Sequence, residues 1–263
     1  MWNSGASYES YIGRWSRLVA NQFVPWLHIT AGAQWLDIGC GTGNLSQTIL
    51  ERADPQSVLG IDSSEVYIEF ARMQIIDSRV TFRLGDAQAL QVESASYDAV
   101  VSGLVLNFVP HPRQALREMI RAVRVGGTVA AYVWDYVGQM QLMRKFWDAA
   151  VELDRKAASA LDEGQRFPIC QPDRLQQLFQ TAIQLEEVEV RSIDVETIFH
   201  NFDDFWSPFL GGQGPAPSYA MSLSEEKRAA LKERIRLNLS VSFNGSIRLI
   251  ARAWAIRGLR RKE

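Results

Sequence analysis

Trp35–Ser46 reads WLDIGCGTGNLS. The apolar run into Asp37 and Ile38 suits a strand, and Asn44 opens a helical pattern that continues to Ala53. Between them stand Gly39, Gly41 and Gly43. Glycine tolerates the left-handed backbone that a tight turn requires, and it lets a ligand approach the main chain closely. The helix that follows points unsatisfied N–H groups at whatever fills that space. Many nucleotide folds share such a turn, so the spacing has to discriminate among them. The dinucleotide fingerprint G-x-G-x-x-G needs a glycine where Asn44 stands. A P-loop needs Gly-Lys-Ser/Thr after the turn, and this stretch has no lysine.

Outward from that turn, strand and helix patterns alternate. Ser57–Asp62 reads as a second strand. Ser64–Ile76 reads as a helix with Ser63 or Ser64 as its N-cap. Val80–Leu84 is a third strand that ends in Gly85-Asp86-Ala87, and Tyr97–Gly103 is a fourth. Arg113–Val125 is expected to be a helix closed by Gly126 and Gly127, with a fifth strand over Thr128–Asp135. Such alternation implies a mostly parallel sheet with right-handed crossovers. The second half is patterned differently. It suggests one helix over Gln139–Leu161, another over Pro172–Phe179 and a strand over Val188–Phe199. A turn-rich GGQGPAP follows, then a helix near Ser222 with Glu225 completing a capping box, and a last strand over Ser246–Ile256. Tyr8, Tyr11, Ile12, Trp15, Leu18, Val19, Phe23 and Trp26 form an amphipathic stripe ahead of the first strand.

These motifs resemble the class I methyltransferases that use S-adenosylmethionine (SAM), in particular the small-molecule branch that includes the ubiquinone and menaquinone biosynthesis type. Four features carry the resemblance, in order. They are LDIGCGTGNLS, the acidic strand end Gly60-Ile61-Asp62, the Gly85-Asp86-Ala87 strand end, and YDAVVSGL followed by a helix running into VRVGGT. The resemblance implies an α/β fold with a doubly wound, seven-stranded, mostly parallel sheet whose last strand is antiparallel. It would be a single domain over 1–263, with an N-terminal helical cap (1–28), a SAM-binding core (30–135), lid segments (136–183 and 200–240) and two terminal hairpin strands (184–199 and 245–257). Asp62 is then the acceptor for the ribose diol, since one carboxylate can accept from both hydroxyls. Ser63 lies beside it. Gly39 and Gly41 close over the amino-acid half of SAM, Asp86 and Ala87 meet the adenine, and Gly103 lines the floor beneath the methionine moiety. Asp37 either orders the loop or meets the SAM amino group. Tyr11 and Arg14 are candidates to cap the cofactor, Tyr11 through its ring and Arg14 through the SAM carboxylate.

Methyl transfer from a sulfonium needs alignment and water exclusion more than an acid–base pair. His111, just past the fourth strand, is the candidate catalytic residue, and a plain loop histidine is the rival reading. The three histidines and two cysteines suggest neither a zinc site nor a disulfide framework, so a cytoplasmic setting is expected. A net charge of −2 gives no basic footprint for nucleic acid, and RGLRRK at 257–262 reads as a solvated tail. No apolar run long enough for a membrane span occurs. The expected partner is a small-molecule methyl acceptor. The aromatic residues of the lid segments, among them Tyr136, Phe146, Trp147, Phe167, Phe205, Trp206, Phe209 and Tyr219, suit an apolar acceptor or else pack the lid itself. A nicotinamide-dependent oxidoreductase and a non-catalytic SAM-binding protein are the rival functions.

Overall fold

A computed structural model describes residues 13–211 and 214–262. Tyr8, Tyr11 and Ile12 lie outside the described residues. The N-terminal helix α1 spans Arg14–Trp26, and its stripe buries Val19, Ala20 and Phe23. The chain then runs β1 (Gln34–Ile38), α2 (Asn44–Arg52), β2 (Ser57–Asp62), α3 (Glu65–Gln74), β3 (Val80–Leu84), β4 (Tyr97–Gly103), α4 (Pro112–Ala122) and β5 (Val123–Trp134). Next come α5 (Gln141–Leu153), α6 (Arg155–Leu161), α7 (Glu163–Arg166) and α8 (Pro172–Gln180), then β6 (Leu185–Phe199). The remainder is α9 (Phe202–Trp206), α10 (Pro215–Ser222), α11 (Glu225–Leu237) and β7 (Ile247–Arg260).

All seven strands form one sheet in the order β3-β2-β1-β4-β5-β7-β6. The pairs β2–β3, β1–β2, β1–β4 and β4–β5 are parallel, and the last strands are antiparallel. Cross-strand ion pairs Arg248–Glu196, Arg252–Asp194 and Arg257–Glu189 follow the β6–β7 register, the partner number falling as the other rises. The chain winds outward from β1 through β2 to β3, and from β4 to β5 on the other side. Such a reversal places the ligand crevice at the carboxyl ends of β1 and β4. Leu36, Ile38, Val100, Val101, Val129 and Ala130 are fully buried, as expected for strands covered on both faces.

By its contacts the chain divides into two compact units. The first holds Ser16–Val133, Gln171–Ile193 and the chain from Ala253 onward. Its centre is the sheet from β1 to β5, against which α1 packs, the ring of Phe23 lying 4.7 Å from that of Tyr132 on β5. The second holds Arg14 and Trp15 with Trp134–Cys170 and Asp194–Arg252. Its interior is aromatic. Phe146 stacks on Phe209 at 4.5 Å, Trp147 meets Tyr219 at 5.6 Å, and Phe205 is fully buried. These rings fill that unit's own core, so packing accounts for them.

Several boundaries differ from the sequence pattern. Helix α4 ends at Ala122, and Val123 is already extended. Gly126 and Gly127 therefore do not cap a helix. They lie within β5, where the pairing with β4 slips between Tyr97 and Ala99 and Gly126 takes φ +77°. The β-branched Val123 and Val125 favour strand over a last helical turn. The single helix expected over 139–161 is broken at Asp154, whose side chain accepts from Ala157 N and starts α6. Ser224, not Ser222, caps α11 by accepting from Lys227 N. Ser222 ends α10, a helix that Pro215 opens inside the segment read as a turn. The basic stretch is no solvated tail either. Arg257 binds Glu189 and the Trp26 carbonyl, and Arg260 binds the carbonyls of Arg121 and Val123.

Candidate functional site

The glycine turn is held by its neighbours before any ligand is considered. Gly39 N and Cys40 N both donate to the Ile61 carbonyl, at 2.7 and 3.0 Å, which ties the end of β1 to the end of β2. Asp62 completes the tie. Its Oδ2 accepts from Gly41 N at 2.9 Å and its Oδ1 from Ser64 N at 2.8 Å. Each oxygen keeps a second lone pair, so the carboxylate can still receive a diol. Burial raises the Asp62 pKa, against which the N–H groups of Ser64, Gly41 and Ser63 act. Ser64 caps α3, accepting from Tyr67 N. Ser63 is exposed beside it.

Two glycines of the turn are required for different reasons. Gly39, at φ +70°, would place a Cβ 2.5 Å from the Val105 methyls, so the loop after β4 rests directly on it. Gly41, at φ +52°, faces open space with nothing within 4 Å of a built Cβ. An open main-chain surface at a helix entrance is what a ligand needs for close approach.

Asp37 lies beneath the turn, fully buried. Ser46 Oγ donates to its Oδ2 at 2.7 Å, whereas Oδ1 has no partner among the described residues. Desolvation pushes its pKa from 3.8 up to about 7, with the Ser46 hydrogen bond opposing and the Asp62 charge adding. A buried carboxylate oxygen without a donor is costly unless a donor arrives. Its Oδ1 therefore remains available to a donor.

The other strand ends converge on the same edge. Gly85 N donates to the Asp62 carbonyl at 2.9 Å, which sets Asp86 and Ala87 beside the end of β2. Asp86 is exposed, and its Oδ1 takes Gln88 N at 2.8 Å. It caps a turn and leads into no helix. Ser102 Oγ donates to the Ile38 carbonyl at 2.9 Å and pins β4 to β1. Gly103 lies under the Tyr132 ring, whose hydroxyl oxygen is 2.6 Å from a built Cβ. His111 is exposed at the start of α4, with its main-chain N donating to Gln88 Oε1 at 3.1 Å. Arg14, in the second unit, gives Nη1 to Asp204 at 3.1 Å and stacks over the rings of Trp15 and Phe199. Its Nε and Nη2 have no acceptor among the described residues.

Sequence reading missed three contributors. Asn44 fastens the turn to α1, donating to Ser16 and accepting from Arg17 at 3.0 Å. Leu104 takes a left-handed φ of +62° at the end of β4. Asn107 is buried three residues further on. The Asn44 position had a signal, as the residue that breaks the dinucleotide spacing. The other two had none.

Comparison with known proteins bears directly on this site. Residues 36–131 match the family model described as a methyltransferase domain. The chain is 37% identical over 95 residues to the demethylmenaquinone methyltransferase of Roseiflexus castenholzii. That match takes in 36% of this chain and 40% of the relative, so the chain spans less than half the length of that curated relative. Among solved structures it is similar to the YcgJ protein of Bacillus subtilis, with a TM-score of 0.60, 18% identity, and 94% and 99% of the two chains covered. It is also similar to phosphoethanolamine N-methyltransferase 2 of Haemonchus contortus in complex with S-adenosylhomocysteine. There the TM-score is 0.57 and the identity 16%, over 97% of this chain and 56% of that one. At such identities the structural likeness speaks for the fold.

Proposed function

We propose that the chain is a class I SAM-dependent methyltransferase, as the match of residues 36–131 to the methyltransferase-domain family supports, and that it transfers the SAM methyl group to an O, N or C nucleophile of a small-molecule acceptor. The observation that carries this reading is the Asp62 carboxylate, held by Gly41 N and Ser64 N at the edge of an open glycine turn. Bound SAM supplies an electrophilic methyl on a positively charged sulfur.

The chain's own residues bind and orient. Asp62 receives the ribose diol, with Ser63 beside it. Asp86 and the Ala87 main chain receive the adenine. Gly39, Gly41 and Gly103 admit the methionine half, and the unpaired Asp37 Oδ1 receives its ammonium. Within its own unit, Arg14 keeps an Nε–Nη2 edge that has no acceptor among the described residues and that matches a carboxylate. Orientation of this kind accounts for roughly 7–11 kcal/mol of a barrier, so a strong general base is dispensable. His111 is the candidate for any proton removal. Among the described residues no helix is long and apolar enough to cross a membrane. One similar relative is named for demethylmenaquinone, which favours an acceptor of that kind.

The test uses labelled SAM and a panel of small hydroxyl, amine and carbon acceptors. A labelled product in the presence of the chain supports methyl transfer. Saturable SAM binding with no labelled product from the panel or from a metabolite extract would favour a SAM-binding protein without transfer activity.

A further inference from the structure

We infer that Asn107 holds the methyl acceptor by donating its side-chain amide to an oxygen of that molecule; this rests on the methyl-transfer reading above. Asn107 is in the loop that follows β4, and that loop is built against the glycine turn. Val105 packs on Gly39 so closely that a Cβ there would meet its methyls at 2.5 Å. Phe108 N donates to the Val105 carbonyl at 2.8 Å, closing a turn in which Asn107 is the third residue. Leu104 enters that turn at φ +62°, a strained conformation for a leucine, and its N is fixed on the Tyr132 carbonyl at 2.8 Å. Such strain persists only where surrounding structure imposes it, and it clusters at functional sites.

Asn107 itself is 9% exposed. Its Nδ2 is inaccessible to solvent and has no acceptor among the described residues. The side chains adjacent in sequence, Val105, Leu106, Phe108 and Val109, offer none. Leaving two amide hydrogens unmet in an apolar turn is unfavourable, and an apolar residue of similar size would avoid the cost. A molecule that brings an oxygen into this turn removes it. An N–H donor needs an acceptor lone pair, so the acceptor class is an oxygen-bearing molecule, and one whose oxygen sits on an apolar body suits the apolar side chains of the turn.

The experiment compares wild type with Asn107→Asp, Asn107→Ser and Asn107→Leu. The probes are 1,4-naphthohydroquinone and catechol, with aniline and 1-naphthylamine as amine counterparts that carry no oxygen. SAM affinity by calorimetry and melting temperature are read alongside labelled-methyl transfer. Wild type is expected to methylate at least one oxygen-bearing probe. Asn107→Asp should lower kcat/KM for it tenfold or more, mainly through KM, and Asn107→Ser should recover part of the loss. SAM affinity should stay within twofold in every variant. Asn107→Leu should melt higher than wild type while losing transfer, a pairing that a purely structural asparagine would not produce. Unchanged kcat/KM in Asn107→Asp, a parallel loss of SAM affinity, or turnover of the amines alone would overturn the assignment. A wild-type protein that binds SAM yet methylates no probe would fail at the earlier step, methyl transfer itself, and would remove the acceptor role with it.

Discussion

At the glycine turn Asp37 is fully buried and Asp62 half-buried, and their partners differ. Asp62 accepts from Gly41 N and Ser64 N, whereas Asp37 Oδ2 accepts from Ser46 Oγ and its Oδ1 has no partner among the described residues. Replacing Asp62 by alanine removes the proposed diol acceptor and orphans two main-chain N–H groups. Hydrogen bonds to a charged group contribute about 1.5–3 kcal/mol each, so SAM affinity should fall by more than tenfold. Asp62→Asn keeps one oxygen for the N–H groups, so it should retain the fold better while still losing affinity; circular dichroism beside calorimetry separates the two effects. Asp37 predicts a pH dependence. Its folded pKa, about 7, lies above the unfolded value of 3.8. The folded state therefore binds the extra proton, and stability from this group is complete at low pH and lost as pH rises toward 7. A ligand ammonium favours the ionised form, so SAM should bind more tightly between pH 6 and 8 and release protons near pH 6.5. Calorimetry in buffers of different ionisation enthalpy measures that release. In Asp37→Asn it should vanish.

At the scale of elements, the glycine turn and the loop after β4 behave as one unit because Val105 rests on Gly39. Gly39→Ala adds a Cβ at φ +70° that overlaps Val105. Overpacking costs typically ~1–3 kcal/mol, and denaturant unfolding should register at least that. The same substitution should weaken SAM binding, because it displaces the turn. Ser64→Ala is the matching control. It removes the α3 cap, at about 1 kcal/mol, but keeps the Ser64 N–H that Asp62 needs, so affinity should change little. The elements themselves were legible where pattern is local. The first four strands, α2 and α3 followed from apolar runs and a Ser N-cap. The glycine pair at 126 and 127 misled because a C′ glycine and a bulge glycine look alike in sequence; pairing to Tyr97 and Ala99 decides between them. The break at Asp154 was hidden by a continuous helical pattern on both sides, although Asp is itself a capping residue.

Across the whole molecule, the contiguous motif segment made β1 to β5 readable, because parallel crossovers join strands close in sequence. The pair β6–β7 is separated by α9, α10 and α11, and its register joins segments far apart in sequence that no local pattern relates. The glycine turn and the Asp62 strand end were legible through the motif; the buried, unpartnered amide of Asn107 was not, since burial without a partner exists only in three dimensions. A second buried acid, in the other unit, shares the sign of Asp37. Glu163 is bonded to Trp147 Nε1, and desolvation pushes its pKa from 4.5 up to about 7. Both carboxyls oppose folding once ionised, so the melting temperature should fall as pH rises from 5 to 8. Glu163→Gln should flatten its share of that slope, which thermal unfolding across pH measures directly.

The proposed SAM site at Gly39–Gly43, anchored by Asp62, is tested by calorimetric titration of the wild-type chain and of Asp62→Asn with SAM, and of the wild type with NAD. Saturable one-to-one SAM binding, a loss of more than tenfold in the variant and no binding of NAD are expected. Saturable NAD binding without SAM binding, or equal SAM affinity in the two proteins, would contradict the proposed site.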